Sequence, residues 1–533
     1  MSQVQRLARQ LFSVDTRSLA LLRLGVAVVI LLDVFLVRLP DVVPFYSDQG
    51  MLPVAISAGP KAAPGHWSIH EWSGSPTYER VLLYGTAFAA GALLVGWSTR
   101  IATFVLWVLL VSLANRNLLV CNYGDTLLQL LLFWSIWIPW ERTWSWDAWR
   151  RARRTPPTPA GQEISSVATA CAMLQLALLY FFAGLWKVNE DWLSGAAVEH
   201  ALALEYAVRP ASRWLGDYPR LLQWATHATL LLELLGPLVV WLPWQTPRIR
   251  GAMVVSFIAL HVGIETFFTP LYLSHICIVA WSLFVPASFW MLPGVRVLTT
   301  SWDAWLTRRA SEAPAASRRP ARWPRRRQAT SWIRTARQLR SLALAGIMAY
   351  IVVWNIATFD PPRLGFLLPE RARWLGHVTL VRQTWDMFWV PSRYNGWFEA
   401  RAELADGRHV DLLGQGRAVP LPVPTPNWWA MPNPRWKVFF RRLTESPDEE
   451  VCQVVADYLW RSWNQAAPAS AHARQLDLVL VRRGDVTRFG QGAVTEVRVA
   501  SVADPAADPW DDLIRRLGGT RPDWQYHGDG TAR

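Results

Sequence analysis

Tyr180-Phe-Phe-Ala-Gly-Leu-Trp-Lys187-Val-Asn-Glu-Asp-Trp-Leu-Ser-Gly195 joins an apolar run to a polar loop, with a lysine at the junction. The run from Ile164 to Trp186 is long enough to cross a bilayer, for which about 20 apolar residues suffice. Lys187 is the first charge after it, and Glu190, Asp191 and Trp192 follow at once. An ammonium at that depth is costly to bury, so it serves as an anchor or as chemistry. As an anchor it snorkels to the interface and pairs with Asp191 four residues on. As a base it must lose its proton. The aromatic surroundings Tyr180, Phe181, Phe182 and Trp186 favour that by desolvation, and Glu190 and Asp191 oppose it.

Composition points the same way. Of 533 residues 52% are hydrophobic and only 18% charged, and the 34 tryptophans suit a protein with many membrane–water interfaces. The formal charge of +14 raises nucleic acid as a partner, but the basic residues lie in loops flanking apolar spans, which excludes a nucleic-acid-binding stripe. Cys121, Cys171, Cys277 and Cys452 show no paired spacing, so neither a disulfide framework nor a zinc site is indicated.

Apolar spans fall near Ser18–Val37, Val81–Trp97, Ile101–Val120, Thr126–Pro139, Ile164–Trp186, Leu221–Leu242, Gly251–Phe268, Leu271–Met291 and Ser341–Ala357. The fourth is short, tilted into the bundle or re-entrant. The first carries Arg23 and lacks a following Ala-x-Ala site, so it reads as a retained helix and not a cleaved signal. Arginines orient the spans. Arg6, Arg9 and Arg17 precede the first, Arg150, Arg151, Arg153 and Arg154 follow the fourth, and the linker 293–340 holds twelve more. With alternating spans, all three loops fall inside. The outside then receives the loops 38–80 and 187–220 and everything after residue 358, and Lys187 sits at the outer mouth of the fifth span.

The fold class expected is an all-α multi-pass membrane helix bundle with a C-terminal extramembrane α+β domain. The bundle of about eight spans covers 1–292, a basic cytoplasmic linker 293–340, a ninth transmembrane helix 341–357, the extracytoplasmic α+β domain 358–500, and a disordered tail 501–533. Within the domain, Trp397–Leu404, Asp406-Gly407 and His409–Leu413 read as a β-hairpin with its turn. Residues 434–444 and 447–464 read as helices, and Leu476–Arg482 with Val494–Ala500 as a strand pair.

Several ionisable residues lie inside the spans, where each needs a partner or water. Arg23 and Asp33 are about 15 Å apart along their helix axis and cannot pair. Arg23 reads as a tie to helix carbonyls or a lipid headgroup, and Asp33 falls at the level of Lys187. His261 and Glu265 are four apart on one helical face, either as a hydrogen-bonded pair holding two helices or as a proton relay. His275 approaches from the same side, and Glu233 with His227 lies on the sixth span. No metal-ligand signature is present, so no metal is predicted.

The lysine segment resembles that of the integral-membrane vitamin K-dependent gamma-glutamyl carboxylases and their bacterial relatives, the horizontally transferred transmembrane (HTTM) domain proteins. The matching residues are Ala183, Gly184, Lys187, Asp191, Trp192 and Gly195. The resemblance extends through Ser18–Arg23 with Asp33, Trp144-Ser-Trp-Asp147, His227–Leu234 and Ser256–His261. It implies that Lys187 is the active-site base and that His227 and Glu233 face the interior as polar candidates, while the reading of the intramembrane ionisable groups offers His261 as a second catalytic group and Asp33, Glu265 and His275 as further polar candidates. It further implies a reduced quinone, a vitamin K-type hydroquinone that the lysine deprotonates. Oxygen converts the quinol to a strong base that abstracts a glutamyl γ-proton, and carbon dioxide adds. The function implied is a quinol- and oxygen-dependent carboxylase at the outer membrane face, with membrane lipids and an exported protein or peptide substrate as partners. The alternative is a non-enzymatic membrane protein that handles lipid or an exported partner. One departure weighs on the first: the carboxylases place an Asn-His pair where this chain has Glu141-Arg142-Thr143. Trp385-Asp-Met387-Phe388-Trp-Val-Pro391, followed by Gly396-Trp397, resembles an element seen after the membrane core of bacterial HTTM proteins and reads as a hydrophobic core or membrane-contact edge.

Overall fold

Ser166 starts the helix that carries Lys187. Its hydroxyl accepts from the Thr169 amide at 3.1 Å and the Thr169 hydroxyl accepts from the Ser166 amide at 2.9 Å, a reciprocal cap on two otherwise orphaned donors. A computed structural model describes residues 3–59, 65–153, 163–269, 272–297, 299–301, 304, 331–389, 395–413, 419–420, 428, 431–484 and 494–502.

The long apolar helices are α1 (Thr16–Asp33), α2 (Pro76–Val95), α3 (Thr99–Arg116), α4 (Tyr123–Ser135), α5 (Val167–Trp186), α6 (Pro219–Val239), α7 (Thr246–Phe267), α8 (Leu273–Ala280) and α9 (Ser331–Phe359). Each apolar span of the sequence falls on one of them. Among the described residues, five helical stretches are long and apolar enough to cross a membrane: Thr16–Arg38, α3, α5, α7 and Trp332–Phe359. The first of these runs past α1 through a π-helical turn, Val34–Arg38.

The chain departs from the expected spans in three places. The eighth is not one helix to Met291: α8 passes into a 3-10 turn, Trp281–Phe284, and the chain is extended at Val285, just before Pro286, which cannot continue a helix. The ninth helix is already formed at Ser331, ten residues before the expected start, because Arg334, Arg337 and Arg340 are good helix formers with an exposed face. The segment after it does not open a new domain at 358. Pro361–Leu364 and Glu370–Thr379 are helices that turn back onto α9, with Leu368 packed against Trp354 and Ala357. A Cβ on Gly376 would lie 2.5 Å from the Trp354 ring, so glycine is what lets this return approach closely. Most of the expected basic linker (305–330) and all of the expected tail beyond Val502 lie outside the described residues.

The chain divides into two units. The helical one takes 1–395, 433–439 and 484–493, and the other 396–432, 440–483 and 494–533. In the helical unit α5 packs on α4, α6 and α9, and 72% of its span is buried, against 22% for α7 and 33% for α9. That makes α5 the central helix. Lipid tails are as apolar as leucine, so close packing of small residues replaces hydrophobic drive between such helices. Gly184 supplies it: a Cβ there would meet the Leu234 backbone nitrogen of α6 at 2.6 Å.

A short antiparallel pair, β1 (Ser13–Asp15) with β2 (Glu163–Ser165), belongs to the helical unit, and the second unit holds a five-stranded sheet in the order Val419–Pro420, His409–Asp411, Asn395–Leu404, Ala473–Arg483, Val494–Val502. Its hairpin is β3 (Asn395–Leu404) and β4 (His409–Asp411), antiparallel with Arg401 opposite Asp411, and Gly407 takes the left-handed turn position at φ +80°. β6 (Ala473–Arg483) and β7 (Val494–Val502) pair antiparallel, and β5 is Val419–Pro420. The helix α10 (Pro434–Glu445) contributes residues from Phe440 onward to this unit, and α11 (Glu449–Ala466) packs on β6 and β7.

Candidate functional site

α5 ends at Trp186. Lys187 turns to φ −79°, ψ 0°, and Asn189 is extended, its side chain capping the short helix Glu190–Leu193. The Lys187 side chain folds back into the protein and is 3% exposed. Its Nζ donates to the Ala183 carbonyl at 3.4 Å and lies 2.7 Å from Glu233 Oε2 on α6. The Glu233 approach is a charge contact, off the direction of an aligned hydrogen bond. The Trp192 ring centroid is 5.3 Å from the ammonium, within cation–π range. Gly184 sets this arrangement, since it draws α6 against α5 at Glu233 and Leu234.

Tyr180 stands two turns before Lys187 on the same helix, about 10 Å along the axis. Its hydroxyl and His261 Nε2 of α7 are 2.6 Å apart, both buried. Phe257 and Trp281 crowd the Tyr180 ring at 4.3 and 5.6 Å between centroids. The other imidazole nitrogen, His261 Nδ1, is buried without a hydrogen-bond partner among the described residues. Glu233 lies within electrostatic reach of the Tyr180 hydroxyl and the Cys277 thiol as well as of Lys187.

The aromatic element after the last long helix closes over this loop. Trp192 Nε1 donates to the Phe388 carbonyl at 2.9 Å, Asn189 Nδ2 donates to the Trp389 carbonyl, and the Trp186 and Trp389 rings meet at 5.2 Å. Gln383 bonds Gln175 of α5 at 2.7 Å and accepts from Trp385, which is wholly buried. The segment 383–389 is therefore a wall of the lysine loop, tied by main-chain carbonyls. Sequence reading assigned it no such task.

Two pairings expected from spacing do not form. Asp191 is not the partner of Lys187. It faces His200 at 3.4 Å, because the helix stops before the i+4 relation can hold. Nor do His261 and Glu265 pair: Tyr180 takes the histidine, and Arg209 takes Glu265 at 2.6 Å. Burial and then the Arg209 charge push the nearby Lys437 down to about 8. His275 is exposed, and half-buried His227 contacts the Leu193 carbonyl at 3.1 Å, so neither joins the interior group. Arg23 ties to carbonyls as expected, at Leu93, Leu94 and Trp144. Asp147 of the Trp-Ser-Trp-Asp segment caps α3, accepting from the Thr99 amide at 2.9 Å, which accounts for that motif structurally.

Asp33 belongs to a cluster that sequence reading missed. Arg435 Nη2 reaches Asp33 at 2.7 Å and Asp125 at 3.2 Å, and Arg38 reaches Asp125 at 2.6 Å and Asp33 on its other side. Tyr46 bonds Arg38, and Tyr272 bonds Asp125. Two arginines and two aspartates thus balance in the interior. Asn122 and Asp125 cap the start of α4 reciprocally, and no spacing rule links Arg435 to Asp33 across 402 positions.

The described residues form a mostly helical protein in which five helical stretches are long and apolar enough to cross a membrane, with a small C-terminal sheet. Residues 61–290, less than half of the chain, match the model of the HTTM domain. No curated protein and no solved structure matches the chain.

Proposed function

We propose that this protein is a membrane enzyme of the vitamin K-dependent carboxylase-like class, working with a lipid-soluble quinol at the outer membrane face. The observation that carries the reading is the buried Lys187–Glu233 contact, with Tyr180–His261 two turns along the same helix. A structural anchor would be satisfied at the surface, whereas this lysine is drawn inward to a carboxylate. The residues fit a ring bearing hydroxyl groups: Lys187 has donors to spare, His261 Nδ1 is orphaned, and Trp192 offers an aromatic face. Bound there, a hydroquinone would supply electrons and, with dioxygen, the basicity that carboxylation of a carbon acid needs.

The chain's own part is proton handling. Lys187 can take a hydroxyl proton only after passing its own to Glu233, so the pair acts as a unit. Tyr180 and His261 hold a second mobile proton, and the 383–389 wall excludes water from the loop. The ion pair also favours a second reading, in which it is a latch between α5 and α6 in a non-enzymatic protein. Purified protein supplied with reduced quinone, oxygen, labelled bicarbonate and a glutamyl peptide separates them: fixed label or quinone epoxide supports the enzyme, and neither product supports the latch.

A further inference from the structure

Arg116 closes α3 with no solvent exposure, and only half of its guanidinium is used. Nη1 donates to the Leu52 carbonyl at 2.8 Å and to Ser57 Oγ at 3.2 Å. Nε and Nη2, the two parallel donors of the other edge, are buried and have no hydrogen-bond partner among the described residues. A buried guanidinium edge left unpaired is expensive, and its fork matches two oxygens of one planar group.

The neighbours carry open valences too. His70 Nδ1 and Glu79 Oε2 are 2.7 Å apart with both side chains fully buried, yet His70 Nε2 and Glu79 Oε1 have no hydrogen-bond partner among the described residues. The His70 turn is pinned to α3 by the Ser112 hydroxyl, which accepts from the Ile69 amide at 2.7 Å, and Ser112 stands one helical turn before Arg116. Glu79 and Arg116 interact electrostatically, as do Glu79 and His70. Asp48 and Glu71 also act on Arg116, so the surroundings discourage a second full carboxylate that has no proton to offer Glu79.

We infer that Arg116, Glu79 and His70 form a binding site for a small planar oxyanion carrying an O–H group, of the bicarbonate class. Two of its oxygens accept from Nε and Nη2 of Arg116, and its hydroxyl donates to Glu79 Oε1. Formate, which lacks the hydroxyl, meets the arginine but not the glutamate. The site rests on these open valences alone and stands whether or not Lys187 is catalytic.

The test is binding by the full-length protein in nanodiscs at pH 8, with chloride at matched ionic strength as the control. The expected result is a rise of about 1–2 °C in unfolding midpoint with bicarbonate at tenfold excess over its Kd, and a smaller rise with formate. Broadening of the carbon-13 line of labelled bicarbonate should accompany it. Arg116→Lys keeps the charge but loses the fork, and should weaken bicarbonate at least tenfold. Glu79→Gln turns an acceptor toward the site into a donor and should reduce bicarbonate binding while sparing formate, which gives a reading even if arginine variants misfold. A wild-type midpoint no higher in bicarbonate than in chloride would mean that only water satisfies the edge and would overturn the site. So would equal bicarbonate binding by the Glu79→Gln protein.

Discussion

Lys187 and Glu233 are worth more as a pair than either is alone. Each is almost fully buried, so removing one partner leaves an uncompensated charge away from water, at a cost of about 3–5 kcal/mol. Glu233→Gln is therefore expected to lower the unfolding midpoint sharply, while Lys187→Met combined with Glu233→Leu should recover most of that loss. Chemical unfolding of the three variants in detergent checks it. A double variant as unstable as the single one would show that the pair is not the source of the stability. Sequence reading named both residues but gave Lys187 the wrong partner, because i+4 spacing holds only while the helix continues, and α5 stops at Trp186. His261 was found by the same reasoning, yet its partner Tyr180 lies 81 positions away on another helix.

Helix α5 depends on one small residue at its crossing with α6. Gly184→Ala puts a methyl 2.6 Å from a backbone nitrogen that cannot swing aside, so the helices must separate. The expected cost is about 1–3 kcal/mol, with a larger proportional loss of any activity that needs Glu233 at Lys187. Expression with normal activity would contradict this. In the sheet-bearing unit, burial raises Asp411 to about 6, partly offset by the Leu413 and Ala400 amides that donate to it, and burial raises Asp457 to about 6 likewise. Between about pH 4 and 6 the folded unit holds protons that the unfolded chain releases. Stability from these groups is thus complete at the acid end of that window and is lost as the pH rises through it. Asp411→Asn keeps the acceptor oxygen and should flatten the slope, which unfolding midpoints across that range will register. The hairpin bearing Asp411 was predictable from alternation and Asp406-Gly407, since strand period and turn chemistry are local. The raised acid was not, because burial is a property of the packed sheet.

The assembled molecule shows which features a single sequence carries. Span positions follow from twenty-residue hydropathy, and they fell on helices even where a proline cut one short. The Asp33–Arg38–Asp125–Arg435 cluster needed the fold, because it gathers residues from three distant stretches. The arginine loops lead to an expected orientation in which reporters fused after Arg154 and Arg327 report inside and one after Arg401 outside. An inside report from the last would require a different number of crossings.

The most direct measurement on the central claim is quinone turnover by Lys187→Arg beside Lys187→Ala, with membrane expression measured for both. Guanidinium stays protonated at any usable pH, yet it can hold the Glu233 contact as well as an ammonium does. The account predicts that both variants reach the membrane, that the arginine protein keeps wild-type stability, and that turnover is lost in each. Full turnover by the arginine protein would contradict it and leave Lys187 as a latch.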